Sequence, residues 1–126
     1  MRSSGWIAAP LAALLLLAPG RARAAPPDPD PWFGPDKALH FTLSSLIAGG
    51  GYGMTALASS HVATRVAFGA GLGIAVGAGK ELWDFAGHGD PSWKDFTWDV
   101  VGTVVGVGIA VTIDLATRGP ERAPAR

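Results

Sequence analysis

Glycine recurs at every fourth residue inside the long apolar segments of this chain, and that spacing is what most limits how it can fold. Gly49 and Gly53 form one such set, Gly69, Gly73 and Gly77 a second, and Gly102 and Gly106, continued by Ala110, a third. Residues four apart share one face of a helix. Inside a water-exposed helix each glycine costs roughly 1 kcal/mol relative to alanine, so a chain with 18 glycines among its 126 residues needs a structural return for them. Close approach of helix backbones in lipid supplies it, because a face without side chains lets neighbouring helices touch. Three such faces predict an all-α fold, a small bundle of three Gly-rich transmembrane helices.

The apolar segments run from about Asp36 to Ser59, from about Arg65 to Ala86 and from about Asp95 to Thr117. Each supplies roughly the 20 residues that span a bilayer only if its charged ends rest at the interface. The uninterrupted apolar cores of the second and third, Val66 to Gly79 and Val100 to Ile113, are short for a span. A buried helical hairpin or a partly inserted bundle is therefore an alternative. Hydrophobic content of 48% with 16% charged residues excludes a disordered chain.

Ahead of the helices, Arg2 precedes an apolar stretch from Trp6 to Ala18, and Ala22-Arg23-Ala24 places small residues at a cleavage site. Residues 1–24 thus read as a signal peptide cleaved after Ala24. An uncleaved anchor is the rival reading, but the run is short and Pro10 breaks it. A proline-rich leader, residues 25–35, reads as extended, PPII-like or disordered, and ends in the aromatic pair Trp32-Phe33. The three-helix domain occupies 36–117 and a polar tail 118–126. There is no cysteine, which excludes disulfides, thiolate metal sites and a cysteine-linked lipid anchor. Without Arg2, Arg21 and Arg23, seven of the ten basic residues face ten acidic ones; no basic patch remains, and nucleic acid is not an expected partner. The expected partners are the membrane itself and other membrane helices or a second copy of the chain.

An exported N-terminus directs the first helix inward, the second outward and the third inward. Arg65, Arg118, Arg122 and Arg126 then lie inside, against Lys37, Lys80 and Lys94 outside, a slight positive-inside bias. Most aromatic residues, among them Trp32, Phe41, Trp83, Trp93 and Trp98, collect at the outer end as a belt.

The same end gathers ionisable residues. Asp36, His40 and Ser44 follow one face of the first helix; Lys80, Glu81 and Asp84 close the second; Asp95 and Asp99 open the third, above Gly102 and Gly106. The short loop Gly87-His88-Gly89-Asp90-Pro91-Ser92 keeps the last two sets together. Crowded carboxylates beside a histidine can run general acid/base chemistry or bind a cation. His40, Glu81, Asp84, Asp95 and Asp99 are therefore the candidate catalytic residues. Without a thiolate or a His-x3-His pair, neither a metal nor a cofactor is predicted. Plainer roles compete. Asp36, and Ser92 or Asp95, can cap helices; Lys37, Lys80 and Lys94 can snorkel at the interface. Glu81 and Asp84 can simply pair with Lys80, and His40 can be a buried hydrogen-bonding residue. His61 and His88 read as solvated.

Asp36-Lys37-Ala38-Leu39-His40-Phe41, then Lys80-Glu81-Leu82-Trp83-Asp84, then Ser92-x2-Asp95-x3-Asp99-x2-Gly102-x3-Gly106 resembles the YfiM-type family of periplasmic or membrane proteins, and more distantly the VanZ-like membrane proteins. The likeness covers Asp36 to Gly106. It implies that Asp36, His40, Glu81, Asp84, Asp95, Asp99 and Gly102 form a shared pattern, and it carries no established activity. YfiM-type members are often lipoproteins, which this cysteine-free chain departs from; VanZ-like proteins usually carry Gln and Asn where Asp84 and Asp99 stand. The expectation is a small cell-envelope protein of the bacterial inner membrane, its polar cluster facing the periplasm and binding a small or lipid-linked envelope component. The alternatives are an assembly protein packing against other membrane helices, a membrane-embedded acid/base hydrolase, and ion or proton handling.

Overall fold

The computed structural model describes residues 28–118. The signal peptide expected at 1–24, the start of the leader and the tail beyond Arg118 lie outside the described residues. Three helices make up the fold: α1 (Pro35–Ala56), α2 (Val62–Trp83) and α3 (Trp93–Thr117), with a π-helical turn, Asp84–His88, prolonging α2. The described residues contain no strand, and the expected all-α bundle of three helices is the fold observed.

Local chemistry sets the helix ends. Pro35 opens α1, where its missing N–H and fixed φ cost nothing. The N-cap is Gly34, without a side-chain cap bond; of the two roles open to Asp36, capping is not the one taken, and Asp36 sits in the first turn. Ser92 does cap α3, its hydroxyl accepting the Asp95 N–H at 3.1 Å. Between α2 and α3 the chain reverses at Gly87, whose φ of 95° lies in the left-handed region that glycine takes without strain.

The glycine faces form the seams. Gly69, Gly73 and Gly77 are all buried on α2, and Gly102 and Gly106 on α3. A Cβ at Gly69 would lie 2.9 Å from the Tyr52 nitrogen and overlap the Ala48 carbonyl. One at Gly102 or Gly106 would overlap the carbonyl of Phe41 or Ser45 on α1. Ser45 joins the same seam, donating its hydroxyl to the Gly102 carbonyl at 2.9 Å. The face predicted on α1 needs one correction: Gly49 abuts Gly106, but Gly53 has no neighbour within 4 Å. Gly51 lies against Gly69 instead, because α1 crosses between both partners and uses two faces.

Burial is inverted relative to a protein surrounded by water. Among the described residues, the buried apolar side chains are Ala48, Tyr52 and Val107, whereas Lys37, Ser44, Arg65, Ser92, Asp95, Asp99 and Thr103 are buried polar ones. Leu46 and Val104 are both 67% exposed. Among the described residues, the helices long and apolar enough to cross a membrane are α2 with its π-turn, 27 residues, and α3, 25 residues. Their apolar cores, Val66 to Gly79 and Val100 to Ile113, are short because charged residues bound them, Arg65 and Lys80 on α2 and Asp99 and Asp114 on α3; the helices run on past these residues. The third expected span is not in that set: α1, 22 residues long, carries Lys37, His40, Ser44 and Ser45 along its length.

At the end away from the polar cluster, one carboxylate ties the three helices together. Asp114 of α3 accepts from Arg65 Nη1 of α2 at 2.9 and 3.0 Å, from the Tyr52 hydroxyl of α1 at 2.5 Å and from Arg118 Nε at 3.1 Å. Arg65 also donates to the Ser59 carbonyl at 2.7 Å in the α1–α2 turn. With 8% of its surface exposed, Arg65 depends on these acceptors to offset its desolvation.

Candidate functional site

All three helices deliver polar side chains to one end of the bundle. Lys37, His40 and Ser44 lie along one face of α1, Asp95 and Asp99 stand one turn apart on α3, and Lys80, Glu81 and Asp84 finish α2. The glycine seams beneath bring these faces together: a Cβ at Gly77 would lie 2.7 Å from Asp99 Oδ2.

Asp99, 3% exposed, is the centre. Ser44 donates its hydroxyl to Asp99 Oδ1 at 2.6 Å, and His40 Nδ1 lies 3.0 and 3.1 Å from the two carboxylate oxygens. A carboxylate oxygen accepts, so in this contact Nδ1–H of the imidazole is the donor. His40 Nε2 is turned towards a second carboxylate, 3.6 Å from Asp95 Oδ2. The ring thus stands between two acids, placed to pass a proton from one side to the other.

Two lysines hold the periphery. Lys80 Nζ is 2.9 Å from Glu81, 2.9 Å from Asp84 and 3.4 Å from Asp95. Lys37 was expected to snorkel and instead is 2% exposed, paired with Asp95 at 2.5 Å, with Asp36 at 2.9 Å and with Asp30. Burying its ammonium is tolerable only because carboxylates from α1, α3 and the leader surround it. Glu81 accepts the Ser92 N–H at 2.6 Å, and the Ser92 hydroxyl that caps α3 also donates to Asp30 at 2.7 Å.

Of the five residues predicted for the site, His40 contacts both Asp95 and Asp99, and Glu81 joins them through Lys80. Asp84 reaches the group only through Lys80. Potential ligand atoms of His40, Glu81 and Asp99 lie within 4.8 Å of one another, as do those of Asp30, Asp36 and Asp95. The first set is the one whose mixed nitrogen and oxygen donors suit a transition metal. His88 is exposed as expected and stacks on Trp83 at 3.9 Å; His61 is exposed too.

Sequence reasoning missed the leader's part. Residues 28–34 are not free extended chain but a strap across this end. The Trp32 carbonyl accepts from Trp98 Nε1 at 2.8 Å, the Trp32 ring meets Trp93 edge-on at 4.7 Å, and Asp28 pairs with Lys94 at 2.7 Å. The alternation of Asp28 and Asp30 with prolines, ahead of three lysines, was the available signal. The bond from Lys94 holds the Asp28 carboxyl below its ordinary 3.8, and those from Lys37 and then Ser92 do the same for Asp30. A lowered folded-state value contributes stability that is fully present above pH 3.8 and lost as pH falls through the lowered values. Trp fluorescence of the full chain is therefore expected to stay constant from pH 7 down to about 4.5 and to change only at more acid pH as the strap lifts from Trp93 and Trp98. A transition centred near neutrality would contradict this.

A cleft of about 250 Å³ leads to the centre between α1 and α2, with His40, Ser44, Lys80 and Asp99 among its lining residues. Comparison with protein-family models, characterised proteins and solved structures finds no match for this chain.

Proposed function

We propose that this chain is a small cell-envelope membrane protein whose polar cluster binds a small or lipid-linked envelope component. The observation that carries the reading is the buried Ser44–Asp99–His40 array at the base of a cleft. Stability alone gives little reason to desolvate such a set, because apolar side chains of similar size fill a bundle at no electrostatic cost. The inverted burial and the two membrane-length helices support residence in a bilayer. The signal-peptide pattern and the aromatic belt support an inner-membrane location with the cluster towards the periplasm. The motif resemblance to YfiM-type and VanZ-like proteins belongs to the same proposal.

A second reading, acid/base hydrolysis or transfer, is favoured by the position of His40 between Asp99 and Asp95. In it His40 exchanges the proton and the two acids orient the ring and offset its charge.

Two measurements test the proposal. Native mass spectrometry of the full chain, extracted from envelopes in mild detergent, is expected to show a bound adduct that His40→Ala lacks; equal adducts in both would count against the site. For orientation, a cysteine replacing the exposed Asp90 is expected to react with an impermeant thiol reagent added to spheroplasts, and one replacing Ser60 is not. The reverse pattern would overturn the topology.

A further inference from the structure

The cleft at the cluster has a divided lining. Leu39 and Leu43 of α1, 56% and 48% exposed, and Val76 of α2, 46% exposed, form its outer walls, with Ile47 deeper. Leu39 and Leu43 are neighbours in sequence of His40 and Ser44, so each turn of α1 offers the cleft an apolar residue beside a polar one. Asp99 of α3 closes the inner end and Lys80 stands at the side. At about 250 Å³ the space is below the roughly 300–1,000 Å³ of pockets that enclose whole drug-sized molecules. It suits one hydrocarbon chain lying between the helices, not a bulky polar group.

The charge around the inner end limits what such a chain can carry. Asp99 and Lys80 line the cleft itself; behind them Glu81, Asp84 and Asp95 pair with Lys80, and Asp95 also with Lys37, so four acids stand against two lysines that are already paired. A phosphate or carboxylate head would enter an excess of negative charge. A cationic head would meet Lys80 first, the more exposed of the two lysines, with 38% of its side chain accessible. A hydroxyl carries no charge and can both accept from a cation and donate to an imidazole.

We infer that the α1–α2 cleft takes a single-chain amphiphile with an uncharged, hydroxyl-bearing head, which enters sideways from the bilayer and sets its hydroxyl against His40 and Lys80. The inference rests on the proposed function and names the ligand class for that site. Sideways entry follows from the exposed walls, because in a bilayer Leu39, Leu43 and Val76 face lipid chains.

The probe is a diazirine-bearing hexadecanol, photolysed with the full chain in nanodiscs of phosphatidylcholine. Labelling is expected to concentrate in the peptides holding Leu39 to Ile47 and Val76 to Lys80. Hexadecanol is expected to compete about tenfold better than hexadecyl phosphate or hexadecylamine, a difference of about 1.4 kcal/mol. Val76→Trp, a change at an exposed wall that leaves the polar array intact, is expected to reduce this labelling about tenfold while preserving the helical circular dichroism. Labelling spread evenly over all lipid-facing segments, or unchanged in Val76→Trp, would overturn the cleft. Stronger competition by the phosphate or the amine would overturn the uncharged head. In each of these cases the native adduct and its dependence on His40 would still stand or fall separately, so failure of the ligand class is distinguishable from failure of the site.

Discussion

Gly106→Ala is expected to disrupt the bundle, although it adds a single methyl group. The new Cβ would be driven into the Ser45 carbonyl of α1, which is main chain in mid-helix and has no rotamer by which to yield. The helices must separate, and the Ser45 bond to the Gly102 carbonyl goes with them. Overpacking costs typically about 1–3 kcal/mol, and a backbone-to-backbone clash belongs at the upper end of that range. Gly108→Ala, two residues on, meets nothing within 4 Å and gains helix propensity. Thermal melting of the two variants in the same detergent should place Gly106→Ala well below the parent and Gly108→Ala level with it or above. Equal melting temperatures would mean that α1 and α3 are not packed along this seam.

Asp99→Asn is expected to leave the bundle standing and weaken binding by about tenfold to a hundredfold. The amide is isosteric, so the contact with Gly77 persists and Ser44 can still donate to the side-chain oxygen. His40 Nδ1 keeps Oδ1 at 3.0 Å but meets an amide nitrogen where Oδ2 stood at 3.1 Å, so a carboxylate that embraces the ring nitrogen with two oxygens becomes a neutral group that offers one. Hydrogen bonds to charged groups are worth about 1.5–3 kcal/mol, so occupancy of the native adduct should fall by about tenfold to a hundredfold. Melting is expected to shift far less than in Gly106→Ala. A variant that binds as the parent does would reduce Asp99 to a packing residue.

These two positions also show how far the sequence could be read. The seam is periodic, and periodicity is visible in a linear chain: Gly69, Gly73 and Gly77 and the pair Gly102 and Gly106 all proved to be buried at contacts. Gly53 misled because spacing identifies a helix face but not which residue the crossing point selects; that depends on where α2 lies, and Gly51 was chosen. The polar group was legible for a related reason. Helix faces and a short loop required His40, Glu81, Asp95 and Asp99 to share one end. What helix geometry does not encode was missed. The strap at 28–34 has no period, and its docking through Asp30 and Trp32 depends on three-dimensional neighbours. Lys37 was read as an interface residue because a lysine's burial depends on carboxylates that lie far away in sequence, chiefly Asp95. Asp114 was passed over as the end of an apolar run, yet it follows that run directly and receives Tyr52, the chain's one tyrosine.

The claim that the cluster is a working site, and not merely a set of ion pairs that closes the bundle, is tested most directly by complementation. His40→Ala, Glu81→Gln and Asp99→Asn would each be expressed in the host strain lacking this gene, with insertion measured by membrane fractionation. All three variants are predicted to reach the membrane at the parent's level and to fail to restore the parent's envelope phenotype. Full restoration by all three, with loss only in a seam variant such as Gly106→Ala, would contradict the account and leave the chain as a packing module.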